Sequence, residues 1–402
     1  MRSSGAVRAR AHGEGQAVSV AAHYFRPSMI ELNGVRDALA TLTTSAPRFY
    51  RAPGRLNLIG DHVDYSEGFV LPIAIDRMTV LAAAKRKDRI VRLHSTARGE
   101  TIAFDLDDTD DRPRGGWDDA LRRVALGLER RGATLLGSDL AVRSTIPEHS
   151  GLASSASFGL AGALALLGTA GVDMPVHEVV AVCREVDGEV APIASAMGKR
   201  DHALLIDCRS AEATTVPLVL NGVAIVVCDA HIARDRRAIE RDRRSECDAA
   251  AKTLRTHLRR VKTLRDVSLA DFLRLSETLP PLLRRRTRHV VTENVRVLQT
   301  VAAVRAEDAI AIGGRLNESH DSLRDDYDLS SPEVDVLVGA ARSVPGVFGS
   351  RMTGRSGATV SLVRRDALPT FRATVGTAYR AVFGREPAVM EVRAADGAST
   401  IG

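Results

Sequence analysis

Two apolar runs, residues 49–59 and 69–84, flank a short stretch in which two carboxylates and a histidine stand close together. The segment reads Ala52-Pro53-Gly54-Arg55-Leu56-Asn57-Leu58-Ile59-Gly60-Asp61-His62-Val63-Asp64-Tyr65 and continues to Gly68-Phe69-Val70-Leu71-Pro72. The runs read as strands, the first as a strand pair around Ala52-Pro53-Gly54. Glycines at 54 and 60 allow tight backbone turns on either side of the polar group. Asp61 and Asp64 can accept hydrogen bonds from vicinal hydroxyls, and His62 adds another partner. A sugar entering a site requires such a fan, because each of its hydroxyls has to be paired. Arg55 is a fixed cation able to steady a phosphate or an ionised nucleophile. Residue types alone leave open a plain charged turn between strands.

A second constellation, Pro147-Glu148-His149-Ser150-Gly151-Leu152-Ala153-Ser154-Ser155-Ala156-Ser157, opens the small-residue run that reaches residue 168. Glycine and hydroxyl residues at the start of a helix point several N–H groups at one spot, and the helix dipole adds to them. The result suits phosphate, and a serine hydroxyl there can reach Mg²⁺. The GxxxxGK[ST] pattern is missing, so this is not a Walker loop, and serine-rich N-caps are common without any ligand. A third constellation, Ser350-Arg351-Met352-Thr353-Gly354-Arg355-Ser356-Gly357-Ala358, precedes a strand. Its glycines allow close approach to a ligand, although an ordinary hairpin loop reads the same way.

Around these motifs strands and helices alternate without a βαβ repeat, which points to an α+β fold. The 402 residues allow two or three domains or one two-lobed unit. The polar stretch 209–216 suggests a boundary, dividing the chain into 28–215 and 216–402. Residues 1–27, rich in Arg, Ala, Gly and Ser, read as a disordered tail or a start assigned too early. The longest apolar run, 158–167, is too short for a membrane span and is broken by glycine. Aromatic content of 4% argues against a nucleic-acid stacking platform. The net charge of +6 arises from 56 basic against 50 acidic residues, interspersed, with no basic run longer than Leu283-Arg284-Arg285-Arg286. Neither a nucleic acid nor a membrane is therefore expected as partner. Cys183, Cys208, Cys228 and Cys247 form no CxxC pair and suit reduced thiols in the cytoplasm.

The three constellations, in this order and at these separations, resemble the galactokinases of the GHMP small-molecule kinase superfamily. The first is nearly their signature, with Asp61 where Glu is usual. Further likeness lies in Gly198-Lys199-Arg200-Asp201-His202-Ala203-Leu204-Leu205-Ile206-Asp207-Cys208-Arg209-Ser210, in Arg288-His289-Val290-Val291-Thr292-Glu293-Asn294, and in Glu318-Ser319-His320-Asp321-Ser322-Leu323-Arg324-Asp325-Asp326-Tyr327. The resemblance runs from about residue 29 to the C-terminus. It implies a two-lobed GHMP kinase fold with ATP in the cleft between the lobes. It also implies ATP-dependent phosphorylation of D-galactose to α-D-galactose 1-phosphate by a monomer, with Mg²⁺ accompanying ATP. The position matching Arg55 stabilises the transferring phosphoryl group. Those matching Asp61, His62 and Asp64, with Val63 between them, hold the sugar. The loop matching His149, Ser150, Gly151, Leu152, Ala153, Ser154 and Ser155 wraps the ATP phosphates. Ser155 and Asp187 fall on the metal side, and Ser95 lies near the nucleotide.

The chain also departs from the family pattern. A Gly-Ile-Met-Asp-Gln block, whose Asp is the proposed base, is replaced by Cys183-Arg184-Glu185-Val186-Asp187-Gly188-Glu189-Val190-Ala191-Pro192-Ile193-Ala194-Ser195. Without gaps Ala191 stands at the Asp position; with a gap about six residues are lost, the base among them. A glycine pair reads His149-Ser150, a serine reads Ala153, the third loop is shorter, and a sugar-contacting tyrosine is Glu240. Two explanations compete. One is loss of catalysis, leaving a galactose-binding sensor. The other is compensating reading-frame slips, which the short, clumped and well-flanked form of the changes favours.

Overall fold

The computed structural model describes residues 29–148, 150–188, 190–232, 236–354 and 357–401. The expected N-terminal tail lies outside them. In chain order the elements are α1 (Met29–Ala40), β1 (Arg48–Ile59), β2 (Phe69–Lys85), β3 (Ile90–Ser95), β4 (Glu100–Asp105), α2 (Asp119–Arg130), β5 (Ser138–Ser144), α3 (Ser154–Ala170), α4 (Val176–Asp187), α5 (Ala191–Met197), β6 (His202–Asp207), β7 (Glu212–Pro217) and β8 (Val223–Asp229). There follow α6 (Arg236–Arg255), α7 (Leu269–Leu275), α8 (Pro281–Arg305), α9 (Ala309–Asp325), α10 (Pro332–Arg342), β9 (Val347–Thr353), β10 (Ala358–Arg364), α11 (Leu368–Phe383), β11 (Ala388–Val392) and β12 (Ser399–Ile401).

Among the described residues these strands form two sheets, of eight and four strands. The larger has the order β12-β1-β2-β5-β3-β4, with β6 and β7 branching from β2; the smaller is β11-β8-β10-β9. The mixture of a largely antiparallel sheet with helical layers bears out the α+β expectation. Residues 48–59, however, are one strand and not the expected pair. β1 stays paired with β2 along its length, and register shifts between Pro53 and Arg55 and between Asn57 and Ile59 absorb the proline and glycine as irregularities.

Apolar burial explains how the layers stack. Leu121, Val124, Leu160, Leu166 and Val182 of α2, α3 and α4 cover one face of the large sheet against Leu81, Leu93 and Leu140. Val35 and Leu39 of α1 cover the other face at Met78 and Val80. Phe371, Val375 and Tyr379 of α11 pack on Ala224, Val226 and Val363 of the small sheet. A further core spans the two halves: Leu56, Leu58 and Ile73 meet Ile225, Val360, Val297 and Leu316. This continuous apolar contact holds the end of β1 against the C-terminal half, and that is what builds the site. The division expected after residue 215 falls inside β7, and β12 returns to pair with β1.

Candidate functional site

β1 is followed by Gly60, whose φ of +98° suits glycine alone. A Cβ there would stand 2.7 Å from the Phe69 carbonyl oxygen and 2.8 Å from Val70 Cα. The turn that follows is held mainly from α8. Glu293, fully buried, accepts the Gly60 N–H at 3.0 Å and pairs with Arg296 at 2.7 Å. The His289 Nε2 donates to the Asp61 carbonyl at 3.1 Å, and Asn294 accepts the Phe69 N–H at 2.8 Å. Burial lowers His289 to about 4, so the ring is neutral at physiological pH. His62, also at positive φ, contacts the Tyr65 hydroxyl through Nδ1 at 3.1 Å, and Tyr65 meets Tyr327 at 3.0 Å.

Asp61 is 4% exposed. One oxygen accepts from Asn57 Nδ2 at 2.7 Å; the other takes Arg351 at 2.6 Å and the Gly354 N–H at 3.2 Å. Burial by itself would raise its pKa. Arg351, the Asn57 donor and the charges of Arg55 and His62 outweigh that and bring it to about 2, so Asp61 is an anion under all ordinary conditions. Arg351 and Gly354 belong to β9 and its end, so this carboxylate is fixed from the other half of the molecule.

The phosphate-loop candidate packs directly on the same strand. The Arg55 N–H donates to the Leu152 carbonyl at 2.9 Å. Gly354, at φ +65°, fits between the two motifs: a Cβ on it would come within 3.1 Å of the Gly151 oxygen. The 17-residue helix α3 starts at Ser154 with no side-chain cap and no acidic residue in its first turn. Its N–H groups therefore remain available to an anion. Ser157 Oγ anchors that turn, donating to the Ala52 carbonyl at 2.7 Å, with Thr79 Oγ1 at 2.9 Å. Ala153 adopts φ +61°, an unfavourable conformation for a residue with a Cβ.

Both motifs open on one cleft of about 640 Å³. Arg55, Asp61, His62, Asp64, Ser95, Gly151, Ala153, Ser154, Ser155 and Asp187 line it. Of the other residues singled out from sequence, Val63 has its side chain in the core. Ser150 and Leu152 are buried, Ser150 Oγ donating to the Pro147 carbonyl at 2.7 Å. His149 lies outside the described residues. Glu240 stands in the cleft wall, as do Val186 and Val190, whereas Ala191 is buried. Sequence reasoning passed over Asn57, Trp117, Phe158 and the cleft-lining Arg98, Arg123 and Arg143, and gave Arg351 no role; Gly354, one of the glycines expected to approach a ligand, does line the cleft. Arg351 lies 290 positions from Asp61, so no local pattern could have linked them.

A galactokinase galactose-binding signature matches residues 41–85, and the GHMP kinase N-terminal domain matches 119–204. The chain is 41% identical to a galactokinase of Roseiflexus sp. (strain RS-1) over 362 residues, covering 87% of this chain and 92% of the relative. It is 39% identical to one from Chloroflexus aggregans, covering 93% and 98%. The chain belongs to the galactokinase family. The galactose-complexed galactokinase of Lactococcus lactis superposes with a TM-score of 0.88 at 29% identity, covering 92% of this chain and all of that one. A mevalonate kinase at 14% identity and a TM-score of 0.61 shares the fold alone. The fold of this galactokinase-family chain is thus the GHMP kinase fold. Among the described residues no helix is long and apolar enough to cross a membrane. The four cysteines are unbridged, and burial pushes Cys247 up to about 11, so it is an inert thiol.

Proposed function

We propose that the protein transfers the γ-phosphoryl group of ATP to the anomeric hydroxyl of D-galactose, giving α-D-galactose 1-phosphate and ADP. One observation carries the reading: the acceptor-rich turn 61–64 and the α3 N-terminus face the same cleft, with Arg55 on the strand joined to both. Asp61, His62 and Asp64 would take the sugar hydroxyls. The loop 151–155 would take the phosphates, and Trp117 with Phe158, their rings 6.2 Å apart, would give the nucleoside an apolar wall. Arg55 would stabilise the charge on the transferring group. Phosphoryl transfer has a loose transition state, and positioning with electrostatic stabilisation supplies most of the rate. The two lobes are proposed to divide near residue 216, with the cleft between them.

Mg²⁺ fits this cleft as a companion of ATP. Among the described residues no three His, Cys, Asp or Glu side chains could hold a metal by themselves. Ser155 and Asp187 both line the cleft and offer a hydroxyl and a carboxylate, and Mg²⁺ is commonly held by one or two such oxygens plus substrate phosphates. When bound it would neutralise phosphate charge.

A second reading, a galactose sensor without turnover, is favoured by one feature. Ala191, which stands at the position of the family's base when the chain is read without gaps, is buried, and the same segment lines the cleft with apolar Val186 and Val190. Measuring ADP release in the presence of galactose, alongside calorimetric galactose binding, separates the two. Galactose-dependent ADP release supports the kinase. Binding without release supports the sensor, and absence of both removes the sugar assignment.

A further inference from the structure

Asp61 belongs to the sugar turn, yet two of its three protein donors come from the end of β9. A carboxylate offers about four acceptor positions. Three are used by Asn57, Arg351 and Gly354, which leaves one on the cleft side. Arg351 is itself fully buried, and its guanidinium also donates to the Leu58 carbonyl at 3.1 Å. Thr353 adds a hydroxyl to the Asn57 carbonyl at 3.0 Å. The tip of β9 thus grips both the backbone and the acid of the sugar turn.

We propose that Arg351 is a positioning residue for the sugar: it orients the Asp61 carboxylate and keeps it ionised, so the sugar site is complete only when β9 is docked on β1. The inference rests on the galactose reading above and adds a specific residue to it. Arg351 does not line the cleft, so its effect on the sugar is indirect, and Asp61 is the cleft-lining side chain it holds. The charged or titratable groups that face Asp61 are Arg55 of β1, His62 of the turn, Arg351 of β9 and, from α8, His289 at its carbonyl. Without Arg351 the buried acid retains only Asn57, the Gly354 N–H and the more distant cations. Burial then drives it towards the protonated form, and a protonated acid is a poorer acceptor for a hydroxyl.

The test is calorimetric galactose binding, without nucleotide, from pH 8 to pH 4.5, for the parent and for Arg351→Met, Arg351→Lys, Asp61→Asn and the double variant Asp61→Asn/Arg351→Met. The double variant removes both charges, so it keeps the test valid if Arg351→Met alone leaves a buried anion and does not fold. At pH 8, Arg351→Met is expected to weaken galactose at least tenfold and Arg351→Lys less, while Kd for ATP stays within twofold. Galactose affinity of the parent stays level with pH; that of Arg351→Met falls further as the medium is acidified. The double variant binds within twofold of Asp61→Asn, since an effect relayed through Asp61 is absent once the acid is gone. Parent-like galactose binding by Arg351→Met, or penalties that multiply in the double variant, overturns the inference alone. A parent that binds no galactose overturns the sugar reading and the inference together.

Discussion

The two walls of the cleft are built in opposite ways. The sugar turn is held by side chains from α8 and β9, far away in sequence, and its Asp61 and His62 are buried and paired. The phosphate side is a local device: a loop, the free end of α3, and exposed pairs such as Arg98 with Glu148, 43% and 61% exposed. It also carries a departure from the family pattern at Ala153, which stands at a left-handed φ. A turn fixed by many remote partners tolerates little change. A loop that relies on backbone N–H groups can carry substitutions and still point at an anion.

The largest effect should come from the residue that serves both walls. Arg55→Ala removes the cation on the strand that carries the sugar turn and touches the phosphate loop. If the chain is a kinase, kcat is expected to fall by about 10³ or more, the range such cationic stabilisers supply. Galactose binding measured by calorimetry should change far less. An unchanged kcat would remove Arg55 from the mechanism and leave the two walls without a shared catalytic group.

Next comes the rigidity of the sugar wall. Gly60→Ala places a methyl against the backbone of Phe69 and Val70 at a φ that side chains rarely adopt. A loss of about 3 kcal/mol is expected in urea unfolding, the sum of clash and strain. The nearby glycine of the other wall, Gly151, has φ +75°, within the ordinary left-handed region, so an alanine there should cost less. Equal losses at the two positions would contradict the contrast.

Acid should also distinguish the walls. Burial depresses His289 to about 4 and His320 to about 3, below the ordinary histidine value. The unfolded chain therefore takes up those protons first, and stability present above about pH 6.5 is lost as pH falls from there towards 4 and below. Two such groups give a slope of about 2.7 kcal/mol per pH unit at most. Asp61, depressed to about 2, adds a further loss only below about pH 4. Urea midpoints at pH 7, 6 and 5 measure this, and His289→Gln should remove about half of the slope. A level profile across that interval would show that the buried histidines are not neutral.

The sequence made the phosphate wall easier to read than the sugar wall's supports. Residues 151–168 announce a glycine-serine entry to a helix, and α3 begins where that pattern implies. The strand expected after the third constellation is likewise present as β10, paired with β9. Less legible was whatever depends on partners remote in the chain. Pro53-Gly54 reads as a turn, yet β2 keeps β1 extended through it. β7 reads as a polar linker because its exposed edge positions carry Glu, Thr and Thr, and β12 is too short to show a period. Asp61, His62 and Asp64 could be picked out as a fan of acceptors. That Arg351 would fix one of them depends on a contact no spacing encodes.

The smallest effect tests whether the phosphate wall is strained. Ala153 sits at φ +61° and ψ +44°, where a Cβ crowds the backbone at a cost of about 1–2 kcal/mol. Ala153→Gly removes that cost but gives the unfolded chain more freedom, which takes back part of the gain. The balance should be a stabilisation of about 0.5–1 kcal/mol, read as a rise in urea midpoint at constant slope. Because Ala153 lines the cleft, the same change lets phosphate approach the backbone more closely, and ATP should bind more tightly. The sugar turn offers the control. His62 is also left-handed, at φ +63°, but its ring is held by Tyr65. His62→Gly should therefore lose galactose binding without gaining stability. If Ala153→Gly lowers stability as well, the loop's left-handed residue is not a source of strain, and the two walls differ only in where their partners lie.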